Sequence, residues 1–589
     1  MSLPLFPEFP PVSSEEWRKQ AEAALKGKNI ESLRFSPEPG LNLAPWYRAE
    51  DLQSIAHELT LLPGKFPFRR GNRFHAHGPG WQLTQEISAD QPGALQRLGE
   101  ALPENPDAIA LTGYYRLPEV KELEPLLARF PFPTTALHLE VNQRPVLTVL
   151  ELVKILRVRK MKNDLLTGTL YNDPISTAAA AGKAVHPVEM AHCEGGIING
   201  RNLPHFRTLG LDFSWVQEMG GTITDEIAFA LAAITDYLDF FEETKSVLTR
   251  KEILENVAFT FSIGSDFFME TAKLRVFRIL YAQLIAAWGE TRADLQSPFL
   301  LSRTSRQNLS LYDSHNNLLR GTTAALSAII GGTNALIVTA FDRMKGPETA
   351  QSARLSRNIQ HLLRHESYLD KVTDPGGGSW YLEVLTEQLA ENAWSRFQKI
   401  EKLGGFTRMM KEGQILQLLE HSAENKDTDL STRKSVMVGV NHYPNPSEML
   451  SEVKAHELLS PYETLRLETD KQTAKNGKRP IVFLFGFGDV KMGNARKQFA
   501  RDLLSCLGLE IVEEGSLAPL QPRIAVLCSS DADYKTTGKT ILAQAREQAP
   551  RALIVVAGHP EKVEITGADE YIYFGMNALT FLQKIAARL

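Results

Sequence analysis

A chain of 589 residues with 43% hydrophobic and 23% charged residues has the make-up of a globular protein with apolar residues enough for more than one large core. A formal net charge of -5, with no long basic run, excludes the electrostatic footprint of a nucleic-acid binder. Three cysteines, Cys193, Cys506 and Cys528, form no C-x-x-C pair and are too few for a disulfide framework, so buried free thiols in a reducing compartment are expected.

The N-terminus, MSLPLFPEFPPVSSEEW, lacks the charged and then apolar profile of a secretory signal and is not an Arg-rich, acid-poor transit helix. No apolar run approaches the about 20 residues that span a bilayer, so a cytoplasmic protein without membrane contact is expected. The proline-rich opening excludes a helix. Ser13 and Ser14 then cap one from Glu15 to about Leu25, with two acids in its first turn. Residues 1–39 read as an arm that packs on another subunit or on the following domain.

From 40 to 400 short apolar runs alternate with longer helical ones. Strands are expected at Ala108–Thr112, Thr135–Val141, Thr208–Phe213, Ala258–Ile263, Phe299–Thr304 and Ala335–Thr339, and helices at Pro145–Val158, Thr224–Phe240, Phe267–Trp288 and Ala353–Leu363. Such alternation reads as a (β/α)8 TIM barrel, whose site lies at the C-terminal ends of its strands. The 267–288 helix places Phe268, Ala272, Arg275, Ile279 and Leu280 on one broad face, as outer-ring packing would. Residues 401–476 read as helical pieces ending in a polar linker, LETDKQTAKNGK. In 477–589, strands at Ile481–Phe485, Leu509–Val512, Ile524–Cys528, Ala552–Val556 and Glu570–Tyr573, with helices near 493–507, 534–548 and 576–589, predict a flavodoxin-like, doubly wound domain.

Particular stretches say more than their pattern. DSHNNLLRGTTAALSAIIGGTNALIVTAFD (313–342), FSIGSDFFMETAKLR (261–275), RLSRNIQ (354–360) and DPGGGSWYLE (374–383) resemble segments of the methylmalonyl-CoA mutase family. EFPP followed by a helix, LKGK and YRAEDL (47–52) resemble the small (beta) subunit of its two-subunit members. The resemblance covers most of the chain. It implies an acyl-CoA mutase-type barrel, a cobalamin-binding-type C-terminal domain, and a reaction in which a radical from adenosylcobalamin interconverts methylmalonyl-CoA and succinyl-CoA.

The same comparison finds the family's chemical groups replaced. In the cobalt-ligating D-x-H-x-x-G, Asp489 is retained, but Lys491 stands for the histidine and Asn494 takes the sixth place. A protonated ammonium has no lone pair for a metal. The nucleotide-tail elements S-x-L and G-G become Cys528-Ser529-Ser530-Asp531 and Ala557–Gly558. Within Y-H-M-Q-E-A-G-A, Gln217 and Glu218 match, but Trp215 replaces the histidine that serves the thioester carbonyl. In W-T-I-R-Q-Y, Thr84 and Glu86 stand at the arginine and tyrosine positions. NDLLTGTLYNDP holds no substrate-gripping arginine, and Asn334 and Ile337 replace the glutamine and histidine after the glycine pair.

The matching positions, Asn316, Asn317, Arg320, Gly331, Gly332, Arg357, Asn358, Gln360, Asp374, Pro375 and Tyr381, are those expected to build the barrel. Arg320 and Arg357 could be read as CoA-phosphate ligands, but are expected to bond helix ends and loops. His315 is expected to be structural, and His192–Cys193 lacks a third metal ligand. Gly486-Phe487-Gly488 begins a dinucleotide fingerprint whose third glycine would fall at Lys491.

The resemblance therefore implies a subunit with no catalytic, cofactor-binding or metal residues of its own, paired as a heterodimer with a homologous catalytic large (alpha) subunit that carries the adenosylcobalamin. The alternatives are an active acyl-CoA mutase with an altered substrate and a CoA-ester-binding regulatory module.

Overall fold

The computed structural model describes residues 12–589 except 72–79, 90, 92, 114–122, 141–143, 181–182, 184, 290–296, 451–452, 454–457, 514–516 and 564. The proline-rich opening and Val141, the expected end of a strand, therefore lie outside the described residues.

Eight parallel strands close into a barrel: β1 (Gln82–Ser88), β2 (Ala108–Thr112), β3 (Ala136–Glu140), β4 (Gly168–Tyr171), β5 (Phe206–Asp212), β6 (Val257–Ile263), β7 (Phe299–Thr304) and β8 (Ala335–Ile337). The closure pairs Gln82 with Ala335 and Thr84 with Ile337. Six of the eight strands follow from apolar runs. β1 escapes that pattern because Gln82, Thr84 and Glu86 interrupt its apolar residues, and β4 because it is four residues long and opens on glycine. β8 stops at Ile337, earlier than expected. Beyond it, Thr339 leaves the ladder, its N–H donating to Thr304 Oγ1 at 2.8 Å and its hydroxyl to the Thr304 carbonyl at 2.6 Å.

The helix expected to lie on the outer ring with one buried face is instead buried almost all round. In Phe267–Ala287 every residue from Met269 to Ala282 is buried, while Phe268 is exposed. The cause is a further helix, Trp380–Lys402, which lies across both it and Ile223–Glu243. Two of the cations this burial encloses are neutralised in place. Lys273 Nζ reaches Glu226 at 2.7 Å and Glu270 at 2.6 Å, and Arg275 binds Asp374 and Glu383.

The second domain is a five-stranded parallel sheet in the order β10-β9-β11-β12-β13: β9 (Ile481–Gly486), β10 (Glu510–Val512), β11 (Ile524–Cys528), β12 (Leu553–Ala557) and β13 (Glu570–Ile572). This is the doubly wound order expected, with its switch point between β9 and β11. All three cysteines are buried and free. Among the described residues no helix is long and apolar enough to cross a membrane.

Two further expectations are refined. The N-terminal helix runs Ser14–Ala24, with Ser13 as its cap in a reciprocal bond pair with Glu16, and none of its residues is buried. It is pinned through Trp17, whose ring lies 4.1 Å from that of Trp46. The polar stretch read as a linker is instead the C-terminal half of a capped helix, Pro461–Asn476, opened by Ser460 with Glu463 and closed by Gly477 at φ 71°. Its polar residues misled because Glu463, Arg466 and Asp470 turn inward. Glu463 accepts from the Leu311 N–H at 2.6 Å, and Asp470 from the Tyr312 hydroxyl at 2.7 Å and the Leu450 N–H at 2.9 Å, so the helix clamps onto the loop that follows β7.

Asp470→Ala strands two buried donors. It should cost about 2–4 kcal/mol, read as a lower thermal midpoint and faster proteolytic cutting between the domains. Asp470→Asn, which keeps an acceptor, should cost less.

Candidate functional site at the barrel mouth and the sheet switch point

In a barrel of this kind reacting groups come from the C-terminal ends of the strands. Here those ends supply Glu86, Thr112, Glu140, Tyr171, Asp212 and Arg303. Most of them line a small cavity to which strands β2 to β8 all contribute, which places it in the barrel's lumen. Arg303 is its centre of charge, 3.3 Å from Glu86 and 3.8 Å from Asp212. Burial pushes the Glu86 carboxyl up, but the guanidinium of Arg303, aided by Arg343 and Arg306, outweighs it and holds Glu86 below the usual carboxylate range. Burial raises Glu140, partly offset by the Gly113 N–H that it accepts at 2.9 Å. Burial would lower Arg303, yet the carboxylates around it raise it further above its ordinary value.

Below this ionic layer the lumen is packed. Ala110, Tyr171, Leu301, Ala335 and Ile337 form an apolar cluster. Tyr171 lies against Gly210, where an added Cβ would meet the ring at 2.6 Å, so only glycine admits it. Deeper still, Arg207 sits 4.7 Å over the Phe299 ring, and His138 faces Gln82 Oε1 at 3.1 Å. Burial, with Arg207 nearby, lowers His138 to about 3.

Thr84 and Glu86 are thus on β1 and Ile337 is in the lumen's apolar layer. Asn334 lies at the opposite, N-terminal end, its Oδ1 accepting from the Leu300 N–H at 2.8 Å. Trp215 stands in the short Ser214–Glu218 helix after β5. It packs on the main core, and its buried Nε1 has no hydrogen-bond partner among the described residues. Its neighbours serve the fold: Gln217 donates to Glu270 at 2.9 Å, and Glu218 accepts from Arg306 N at 2.9 Å and Ser305 Oγ at 3.1 Å. Arg320 bonds Ser310 and Asn317 at 2.8 and 2.7 Å and the Val438 carbonyl, as expected of a loop-tying residue. Arg357 differs: it donates to Gln85 Oε1 on β1 at 2.9 Å. His315 stacks on Phe341 at 5.4 Å, and no cluster of metal-ligating residues is found among the described residues. The lumen's ion group is the feature that sequence reasoning missed. Its only signal was the run of polar residues alternating through β1.

At the sheet's switch point, Asp489 caps the Val490–Ser505 helix by accepting from Met492 N at 3.1 Å, and both Lys491 and Asn494 are exposed. The crevice is bridged by its own loops. Asp533 accepts from Asp489 N at 2.8 Å, Ser530 Oγ at 2.7 Å and Ser529 Oγ at 3.1 Å, and its carboxylate occupies the space a Cβ at Gly488 (φ 67°) would need. Tyr534 spans β11 and β12, donating to the Leu527 and Ala557 carbonyls, with Arg496 over its ring at 5.3 Å. These residues offer no imidazole, and the groove beside them is taken by tyrosine and arginine side chains.

Fold and sites define a two-domain α/β protein, a (β/α)8 barrel with an ionic plug at its mouth followed by a doubly wound domain with a closed crevice. The sequence profile described as Methylmalonyl-CoA mutase matches residues 115–477. A "Methylmalonyl-CoA mutase small subunit" of Porphyromonas gingivalis is 31% identical, over 98% of this chain and 97% of its own. One of Streptomyces virginiae is 29% identical, over 100% and 98%. A "Methylmalonyl-CoA mutase" of Rhizobium meliloti is 28% identical, over 73% and 64%. The chain belongs to the methylmalonyl-CoA mutase family, and over nearly its whole length it is similar to proteins named as small subunits.

Two measurements probe the lumen. Arg303→Met leaves its carboxylates uncompensated; with Arg303 and Glu86 keeping 22% and 29% exposure, the expected loss is about 1–3 kcal/mol in chemical denaturation. His138 has a folded pKa below its unfolded one, so its contribution is intact above about pH 6.5 and is lost as the pH falls towards 3. Between pH 6.5 and 5 the wild type should lose up to about 2 kcal/mol more than His138→Gln.

Proposed function

We propose that this chain is the non-catalytic small subunit of a heterodimeric methylmalonyl-CoA mutase. It supports a homologous large subunit that interconverts methylmalonyl-CoA and succinyl-CoA and carries the adenosylcobalamin, while this chain holds no cofactor. The observation that carries the reading is the Glu86–Arg303 pair. Where the family it resembles places an aromatic residue, this chain has a carboxylate bound to Arg303. A fixed carboxylate repels an acidic substrate, and its guanidinium is already engaged.

Other features support the same reading. A Trp215 indole fills space that a smaller, hydrogen-bonding imidazole would leave open. Lys491, exposed on the first turn of its helix, offers an ammonium in place of a ligating nitrogen. The retained residues Gln217, Glu218, Asn317 and Arg320 bond to loops and helices of the chain's own barrel. An N-terminal helix without a buried residue suits an arm laid on a partner, and the names of the full-length relatives presuppose a large subunit.

The test is conversion of methylmalonyl-CoA by the purified chain with excess adenosylcobalamin, beside a matched sample containing a homologous large subunit. The chain alone should be silent, and the mixture should turn over and co-elute. Turnover by the chain alone would restore the active-mutase reading, and tight binding of a CoA ester to the isolated chain would favour a regulatory module.

A further inference from the structure

A second cavity opens at the C-terminal ends of β1 and β8, beneath the Ala350–His361 helix. It is separate from the lumen cavity, with the β1 residue Glu86 at its edge. Three arginines line it. Arg357 comes from the helix and is buried, spending one donor on Gln85 Oε1 at 2.9 Å. Arg97 follows β1 and donates to the Ser88 carbonyl at 2.9 Å. Arg343 lies on the loop after β8 and is half-buried.

The wall also carries an unmet donor. Gln360 is 1% exposed; its Oε1 accepts from Trp81 Nε1 at 3.2 Å, and its Nε2 has no partner among the described residues. A buried amide without an acceptor is costly, and nothing on the protein side supplies one here.

Two carboxylates share the cavity with the three arginines and offset part of their charge. Glu86 is already paired with Arg303 at 3.3 Å. Burial, reinforced by the charge of Glu86, pushes Glu348 up to about 7, so near neutral pH it carries less than a full charge and can itself donate. Guanidinium forks, an amide N–H and a basic balance in a walled space are the recognition chemistry of carboxylates and phosphates. The loops after the last strands are also where barrels of this architecture commonly hold phosphate.

We propose that this cavity binds a compact oxyanion, a small molecule bearing a carboxylate or a phosphate, with Arg343 and Arg357 gripping its oxygens and Gln360 Nε2 donating to it. The gripping residues Arg343, Arg357 and Gln360 lie outside the lumen cavity, so the binding proposed does not depend on whether the chain catalyses anything. It gives the subunit a means of answering a small anionic metabolite.

The test titrates the full-length protein with inorganic phosphate and with malonate at constant ionic strength, against chloride as control, following heat of binding and thermal midpoint. Saturable binding of at least one is expected, and the preferred one identifies the head group. Arg343→Gln should weaken it at least tenfold, whereas Arg354→Gln, on the exposed side of the same helix, should leave it unchanged. Absence of saturable binding beyond the chloride control, or equal affinity in Arg343→Gln, overturns the proposal. Should Arg343→Gln fail to fold, phenylglyoxal labelling of the wild type decides. Protection of Arg343 by the bound anion supports the site, and labelling at an unchanged rate overturns it.

Discussion

The barrel depends on three cations buried along one helix. Phe267–Ala287 carries Lys273, Arg275 and Arg278 into a space almost closed to water, and each is answered from a different part of the chain. Lys273 meets Glu226 and Glu270. Arg275 meets Asp374 and Glu383, and Glu383 in turn meets Arg69, 3.2 Å away. Arg278 donates to the carbonyls of Gly331 at 2.7 Å, Gly332 at 3.1 Å and Phe68 at 3.3 Å. A buried charge stripped of its partner costs far more than the pair contributes, so these contacts hold segments distant in sequence in one arrangement. The helix therefore sets where β6, the turn into β8 and the covering Trp380–Lys402 helix must lie.

That constraint explains which residues the chain shares with its family. Gly331, Gly332 and Asp374 match because they answer Arg278 and Arg275; Asn317 and Arg320 match because they tie the loop after β7. None of these roles requires a substrate. Glu86, Trp215, Ile337 and Lys491, the positions at which the sequence departs from the family motifs it resembles, make no contact with these three cations.

The fold was legible because its strongest signals are local. β2, β7 and β11 match their expected limits residue for residue, being short, apolar and flanked by turns. β1 was not legible, since a strand facing a polar lumen alternates Gln82, Thr84 and Glu86 with its apolar residues. The helical LETDKQTAKNGK stretch reads as a polar linker because two of the groups that fix its helix, Glu463 and Asp470, find partners at Leu311 and Tyr312 on the barrel, more than a hundred residues earlier in the chain. Of the candidate sites, the departures from the family motifs are visible in the sequence itself. The ion group at the barrel mouth is not: Arg303 lies in an ordinary strand, and only barrel closure brings it to Glu86.

The filling of the lumen bears on how such a barrel holds together. An empty lumen would leave strand ends unpacked and polar atoms unpaired, each a cost to the fold. Here Tyr171 against Gly210, the apolar layer of Leu301 and Ile337, and the Arg303 ion group restore packing and neutrality along the axis. Such packing makes the barrel stiff in itself; under the proposed small-subunit reading that stiffness holds the shape of a partner, and the exposed Ser14–Ala24 helix leaves surface for the contact.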